Sequence, residues 1–487
     1  MMKIAVIGGS VGNLTAAICL AREGIDVSIY EKRDYIGGKL RMVQIQGYDF
    51  EIGPTMITAP EIIEQFIAST GRDIKDYMQI RSVRHHTQNI FPQLNSFFLS
   101  TDQAFMRKQL ERLDPVGASN YDDFLAEITR MKQAFEELLT LSPLVSWRQL
   151  LMPPARSAYL TLKPFETIEH FVRRYFTNEE VIASFTRYAS YNGIAPNEAP
   201  AMFIIHAYDE LINGVYYVAG GNLRLVRVLQ QIAKEEGIRY YTGKEVTKIH
   251  VDEQAIEGVC INDELSLEAD AVLMSVEDFK AQPQLFADDL TEVPYVPATQ
   301  PTKTAACVML VALNTHTQIY HHHVIYSNDR IREFEMLKRG EMPDDPTVYL
   351  YNPAFSEQER FLRGDALLIF ANMPYTTDEQ RVEKMKQRIY DKLAEVGLKV
   401  GDYLVTDQLW SPAQLTTMFD QYRQEGQMKK ITQFLLNPIL KDHQIKSLYF
   451  TGMHAHPSAG IAAAIANGER VAKRMINELV AKKNGYG

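Results

Sequence analysis

Apolar residues open the chain as one short unbroken run, Ile4, Ala5, Val6 and Ile7. A run this short cannot be a helix, and its lack of alternation predicts a strand buried on both faces, as in a parallel sheet. Helical spacing takes over at 11–23, and a second apolar run at 27–30 ends in the acid Glu31. Residues 60–71 then read as a helix with proline at its start and glycine at its stop, while 76–99 turns strand-like. From 102 to 188 the pattern is mostly helical, and its apolar period is clearest at 124–141 and 168–176. Mixed strands and helices return after 214. A helix is predicted over 223–236 and strands over 246–251, 256–261 and 271–275, with Asp263 as a hairpin residue between the last two. A strand at 304–313 and a helix at 377–396, closed by Gly397, follow. The last strand ends at Gly452, ahead of a small-residue helix that begins near Gly460. Strands interleaved with helices place the chain in the α/β class.

The first of these units carries chemistry. A strand, a glycine-bearing turn (Gly8, Gly9, Ser10, Val11, Gly12), a helix, a strand and a terminal acid follow one another within about 30 residues. That is the layout of a dinucleotide-binding, Rossmann-like βαβ unit. Glycines let the backbone approach a pyrophosphate, the helix start offers N–H groups and a positive dipole end, and the acid accepts from ribose hydroxyls. The fingerprint is imperfect, because Ser10 and Asn13 stand where G-x-G-x-x-G wants its second and third glycines. Ser10 is a mild change, since its hydroxyl can donate to a phosphate. Asn13 puts bulk where helix and strand normally touch, at a cost of roughly 1–3 kcal/mol unless the surroundings relax. Adaptation around Asn13, with the cofactor bound, is the expectation.

Composition narrows the field. The 487 residues suffice for two or three domains' worth of core, and 46% hydrophobic with 23% charged residues is ordinary for a soluble globular protein. A net charge of −10 argues against a nucleic-acid partner, which needs a basic surface. Cys19, Cys260 and Cys307 are few and scattered, with neither disulfide nor metal spacing, as suits a reducing cytosol. The sequence has no signal peptide and no apolar window of membrane-spanning length. The apolar–basic stretch 147–163, from Trp147 to Lys163, reads either as a lipid-docking segment or as a helix–loop–helix covering a substrate cavity. His85 and His86 read as surface histidines. His321, His322 and His323 lack a carboxylate or cysteine at ligand spacing, so no metal site is expected.

A second motif is more specific. After Glu31 come Gly37, Gly38 and Lys39, then a short strand closed by Gly53, Pro54 and Thr55. This resembles the second segment of the FAD-dependent amine oxidase and phytoene desaturase superfamily, in which paired glycines approach the cofactor and a basic residue follows. Lys39 stands where arginine is usual, a point charge in place of a bidentate fork. Further matches run through 53–58, 199–203, 215–221, 322–327, 342–349 and 448–457, so that the whole chain resembles the bacterial carotenoid (phytoene/diapophytoene) desaturase family. The nearest likeness is to enzymes of C30 carotenoid synthesis, diapophytoene desaturase and diaponeurosporene oxidase. It departs from that pattern in the tail Pro457, Ser458, Ala459, Gly460, in Pro92, Gln93, Leu94, and over 420–433.

The resemblance implies an FAD-binding domain assembled from 1–75, 215–300 and 440–487, and a discontinuous α+β substrate domain from 76–214 and 301–439. It implies FAD held by Gly8, Gly9, Ser10, Val11, Gly12, Asn13, Glu31, Lys32, Gly38, Lys39, Pro54, Thr55, Val246, Gly452, Met453, Gly460 and Ile461. The start of the last helix would turn its N–H groups toward the electron-rich edge of the reduced flavin. The implied substrate is a long apolar polyene, and the implied location is cytoplasmic with peripheral contact to the inner face of the cell membrane near 145–165. Hydride loss from an allylic carbon to the flavin leaves a neighbouring proton to be accepted. His454 and His456 are the candidates, against the plainer reading of loop residues bonded to backbone. Two alternatives stand beside this reading: a flavin oxidase of the same fold acting on an amine or lipid aldehyde, and a flavin-poor, non-catalytic paralogue.

Overall fold

The computed structural model describes residues 2–93, 95–140, 147–153, 155–192, 194–276, 279, 283–286, 304–419, 445–452 and 460–483. A five-stranded, all-parallel sheet is ordered β19 (Leu448–Thr451), β13 (Ala271–Ser275), β1 (Lys3–Ile7), β2 (Asp26–Glu31), β9 (Arg239–Thr242). The inner strands β1 and β13 are buried almost end to end, which is why they read as unbroken apolar runs. On one face lie the first helix, Val11–Arg22, and the C-terminal helix, Ile461–Lys483. These two meet closely: a Cβ on Gly468 would stand 2.4 Å from the Gly12 carbonyl oxygen, and one on Gly12 would stand 3.2 Å from that of Ala464.

Strands β10 (Val246–Asp252), β11 (Ala255–Ile261) and β12 (Leu265–Glu268) form a separate antiparallel sheet. β12 was not expected. The hairpin turn therefore joins β11 to β12, with Asn262 and Asp263 at φ 51° and 59°, the left-handed pair a two-residue turn requires.

A seven-stranded mixed sheet runs β18 (Leu404–Trp410), β14 (Thr304–Leu313), β17 (Ala366–Pro374), β16 (Val348–Tyr351), β15 (His322–Ile325), β6 (Thr87–Ile90), β7 (Ser96–Leu99). Helices Gln103–Leu113, Pro115–Thr140, Ile168–Arg173 and Glu179–Thr186 gather beside it around an aromatic core. Phe124 is its centre, with the rings of Phe176 and Phe185 each 5.0 Å away. Two short ribbons, β3 (Arg41–Ile45) with β4 (Tyr48–Ile52) and β5 (Ile80–Val83) with β8 (Val215–Val218), complete the sheets. Among the described residues, no helix is long and apolar enough to cross a membrane.

Candidate cofactor and active site

The glycine turn lies where β1 gives way to the first helix. Gly8 sits at φ 88°, and its N–H donates to the Tyr30 carbonyl at 2.8 Å. Ser10 caps the helix, its hydroxyl accepting from the Asn13 N–H at 3.3 Å. Asn13 is fully buried and every polar atom of its side chain is used. The amide nitrogen donates to the carbonyls of Ile7 and Gly8, both at 2.9 Å, and the amide oxygen accepts from the Thr451 hydroxyl at 2.5 Å. The expected misfit is thus a three-way tie between strand end, turn and β19. Close packing has moved one residue along, to Gly12.

Glu31 ends β2 almost wholly buried. One of its oxygens accepts from the Gly9 N–H at 2.8 Å and the other from the Arg33 N–H at 3.0 Å. A carboxylate has about four acceptor positions, so each oxygen keeps capacity for a ribose hydroxyl. The second motif is built directly on the first. The Gly37 N–H donates to the Gly9 carbonyl at 2.9 Å, a Cβ on Gly9 would strike Ile36 at 2.5 Å, and one on Gly38 would lie 3.3 Å from Ser10. Lys32 is half-buried and Lys39 exposed.

Gly53 turns at φ 138° over the Lys39 carbonyl, bringing Pro54 and Thr55 beside this wall. Asn222 holds them there, its amide donating to the Pro54 carbonyl at 3.1 Å. Its own N–H is held by Glu51 at 2.9 Å, a buried carboxyl whose pKa is raised by burial and opposed by Arg360, 3.0 Å away. Val246 is buried in the apolar cluster that also contains Ile7. The Gly452 N–H donates to Asn467 of the C-terminal helix at 3.2 Å. Gly460, at φ 104° with open space where a Cβ would be, opens that helix, and Ile461 is buried behind it. Met453, His454 and His456 lie outside the described residues.

Thr55 leads into polar chemistry that sequence reasoning missed. Its hydroxyl is 3.0 Å from the Tyr349 hydroxyl, which is 2.6 Å from Nδ1 of His322. His321 pairs with Ser356 at 2.6 Å and His323 with Gln88. All three histidines are buried. Burial lowers His321 to about 3 and His323 to about 4, and holds His322 well below the usual imidazole range. His86, expected at the surface, is fully buried beside Thr87 and the Arg187–Glu210 ion pair, because β6 pairs with β15 inside the large sheet. The described residues contain no group of His, Cys, Asp or Glu suited to a metal. Long-range strand pairing, invisible to local pattern, assembled this cluster.

A dinucleotide's pyrophosphate needs donors at a helix start approached by bare backbone, and its ribose needs an acid at the end of the second strand. The Gly8–Gly12 turn, Glu31 with its spare lone pairs and the open approach at Gly460 provide these, so the residues present fit FAD.

Comparison with known proteins agrees. Residues 14–476 match the family of flavin containing amine oxidoreductases, the match beginning just after Asn13. The chain is 25% identical over 492 residues to the 4,4'-diapolycopene oxygenase of a Methylomonas species, with 98% of each chain covered. It is 25% identical to the zeta-carotene-forming phytoene desaturase of Myxococcus xanthus, over 97% of this chain and 94% of that one. A 4,4'-diapophytoene desaturase of Staphylococcus haemolyticus is 25% identical over 98% of this chain and 99% of its own. In fold it is similar to an oxidoreductase from Methanosarcina mazei (TM-score 0.62, 14% identity, 97% and 100% covered). It is likewise similar to a redesigned putrescine oxidase (TM-score 0.59, 13% identity, 98% and 99% covered). With the fold, the glycine turn and the acid of β2 all in place, the chain belongs to the flavin containing amine oxidoreductase family and is an FAD-dependent oxidoreductase.

Proposed function

We propose that this enzyme desaturates or oxidises a long apolar polyene of carotenoid biosynthesis, of the C30 diapophytoene type. The observation that carries the reading is similarity over nearly the whole length to enzymes named for such substrates. In this reading FAD is held by the Gly8–Asn13 turn, Glu31 and Lys32, Gly38 and Lys39, Pro54 and Thr55, Val246, Gly452, Met453, Gly460 and Ile461. The cofactor domain is 1–75, 215–300 and 440–487; the substrate domain is 76–214 and 301–439.

Bound FAD supplies a hydride acceptor. The protein's own part is to orient the polyene, exclude water and receive the proton lost from the neighbouring carbon. His454 and His456 remain candidates for that last task.

Peripheral membrane contact belongs to the same reading. Helix Ala155–Thr161 buries Ala155, Ala158 and Tyr159 but turns Arg156 and Leu160 outward. Beside it Met152 is 62% exposed and Phe165 90%, an apolar–basic surface suited to a lipid headgroup boundary. The amine alternative asks for aromatic rings left open to a cation. Tyr349 and Tyr351 are instead both stacked on His322, with centroids 5.8 and 5.4 Å away.

Pigment analysis after co-expression with a synthase supplying a C30 or a C40 precursor tests the proposal. Additional conjugated double bonds or oxidised end groups are expected with the C30 precursor. Unchanged polyene from both precursors would overturn it.

A further inference from the structure

Desaturation releases a proton from carbon, and resting on the functional reading above, we propose that Thr55, Tyr349 and His322 form the path that takes it up, with Nδ1 of His322 as its terminus. The path is continuous, 3.0 Å from Thr55 Oγ1 to the Tyr349 hydroxyl and 2.6 Å from there to Nδ1 of His322. It begins on accessible surface and ends in the interior: Thr55 and Tyr349 are half-buried, whereas His322 is wholly buried. Thr55 belongs to the segment that Asn222 fixes against the cofactor wall. Two proton arrangements satisfy the chain, and one of them makes the ring an acceptor. In that one Thr55 donates to Tyr349, Tyr349 donates to Nδ1, and Nε2 carries the ring hydrogen. Nε2 of His322 has no hydrogen-bond partner among the described residues, so no protein donor competes to hold the opposite tautomer.

The surroundings keep the terminal imidazole in its accepting form. Around it stand His321, His323, His86, Tyr351, Arg187 and Glu210, drawn from β15, β16, the segment before β6 and the helical layer. Burial first, and then the neighbouring histidines and Arg187, disfavour the imidazolium, so the ring is neutral at ordinary pH. Glu210 is held by Arg187 and by the Tyr188 hydroxyl.

The step balances. A C–H bond beside the carbon that loses hydride breaks heterolytically, and its electron pair becomes the second bond of the new alkene. Its proton goes to the Thr55 oxygen, the proton of Thr55 passes to the Tyr349 oxygen, and that of Tyr349 passes to Nδ1 of His322. Both hydroxyls end as they began, one imidazolium is formed, and the hydride is the share of the cofactor.

Tyr349→Phe removes the hydroxyl and keeps the stacked ring. With FAD content equal to wild type, it is expected to slow polyene turnover about 100-fold, within the range typical of general acid–base groups. Thr55→Val, which keeps shape without the hydroxyl, should do the same and serves if Tyr349→Phe fails to fold. A readout independent of turnover comes from protein labelled with nitrogen-15 in histidine, with the His322 signals assigned through His322→Gln. Nδ1 of His322 should resonate as an unprotonated acceptor in wild type and shift in Tyr349→Phe. Variant turnover within threefold of wild type, or a protonated Nδ1, would overturn the path while leaving the functional reading intact. A flavin-loaded wild type that converts no polyene would overturn both.

Discussion

The Thr451 hydroxyl donates to the side-chain oxygen of Asn13 at 2.5 Å, tying the first turn of the chain to its last strand. The residue that departs from the dinucleotide fingerprint is therefore the one that joins the two ends of the cofactor wall.

Restoring the fingerprint should consequently do harm. Asn13→Gly removes the bonds to Ile7, Gly8 and Thr451. At about 1 kcal/mol net for each, and about 1 kcal/mol for glycine in a helix, a loss of roughly 4 kcal/mol is expected. Denaturant unfolding of the apoprotein measures it, and flavin titration should show weaker binding. A variant as stable as wild type would show that the tie contributes nothing.

Close packing of the first and last helices makes its own prediction. In Gly468→Ala the new methyl would stand 2.4 Å from the Gly12 carbonyl and 2.8 Å from Thr15, both on the first helix. Overpacking of this kind costs about 1–3 kcal/mol. Since the displaced backbone is the Gly8–Gly12 turn, FAD affinity should fall together with the melting temperature. Gly243→Ala, at a site with open space, controls for handling but itself carries a left-handed φ of 65°.

Glu333 gives the stability a pH signature. It is buried, its carboxyl accepts from the Thr347 N–H at 2.7 Å and bonds the Thr347 hydroxyl at 2.6 Å, and burial raises it to about 7. The folded state therefore binds this proton more tightly than the unfolded chain. Its contribution is complete below the unfolded value near 4.5 and is lost as pH rises through 7. At 1.36 kcal/mol per unit the full effect is of order 3 kcal/mol. Glu333→Gln, which mimics the protonated acid, should remove that slope between pH 5 and 8 in urea midpoints. Parallel curves for variant and wild type would contradict the assignment. His321 and His323 act in the opposite sense. Lowered to about 3 and 4, they cost stability as pH falls below the unfolded value near 6.5.

Membrane contact is tested by flotation with liposomes. Phe165→Ser combined with Met152→Ser removes two exposed apolar side chains without touching the core. Each is worth about 1.5–3 kcal/mol when fully buried, and 1.4 kcal/mol is tenfold, so partitioning should fall at least about tenfold with the melting temperature unchanged. Equal flotation would remove this surface from consideration.

What the sequence disclosed was local. β1 stood out because a doubly buried strand is an unbroken apolar run, β2 because its apolar stretch ends in Glu31, and Gly37 and Gly38 because backbone at φ 139° and 61° needs glycine. β12 was missed since Leu265–Glu268 is only four residues long and mostly exposed, so its Leu-Ser-Leu-Glu alternation is too short to stand out. The role of Asn13 depends on Thr451, and the burial of His86 depends on β6 pairing with β15. Neither partner is near in sequence, and side-chain chemistry at such distances leaves no periodic trace.

The most direct test of the central claim is an anaerobic half-reaction: purified, flavin-loaded protein mixed with a C30 polyene presented in liposomes. Desaturation by this protein predicts bleaching of the oxidised flavin band together with a red shift of the polyene spectrum, one double bond formed per flavin reduced. A flavin band that stays oxidised, or that bleaches without any change in the polyene, would contradict it.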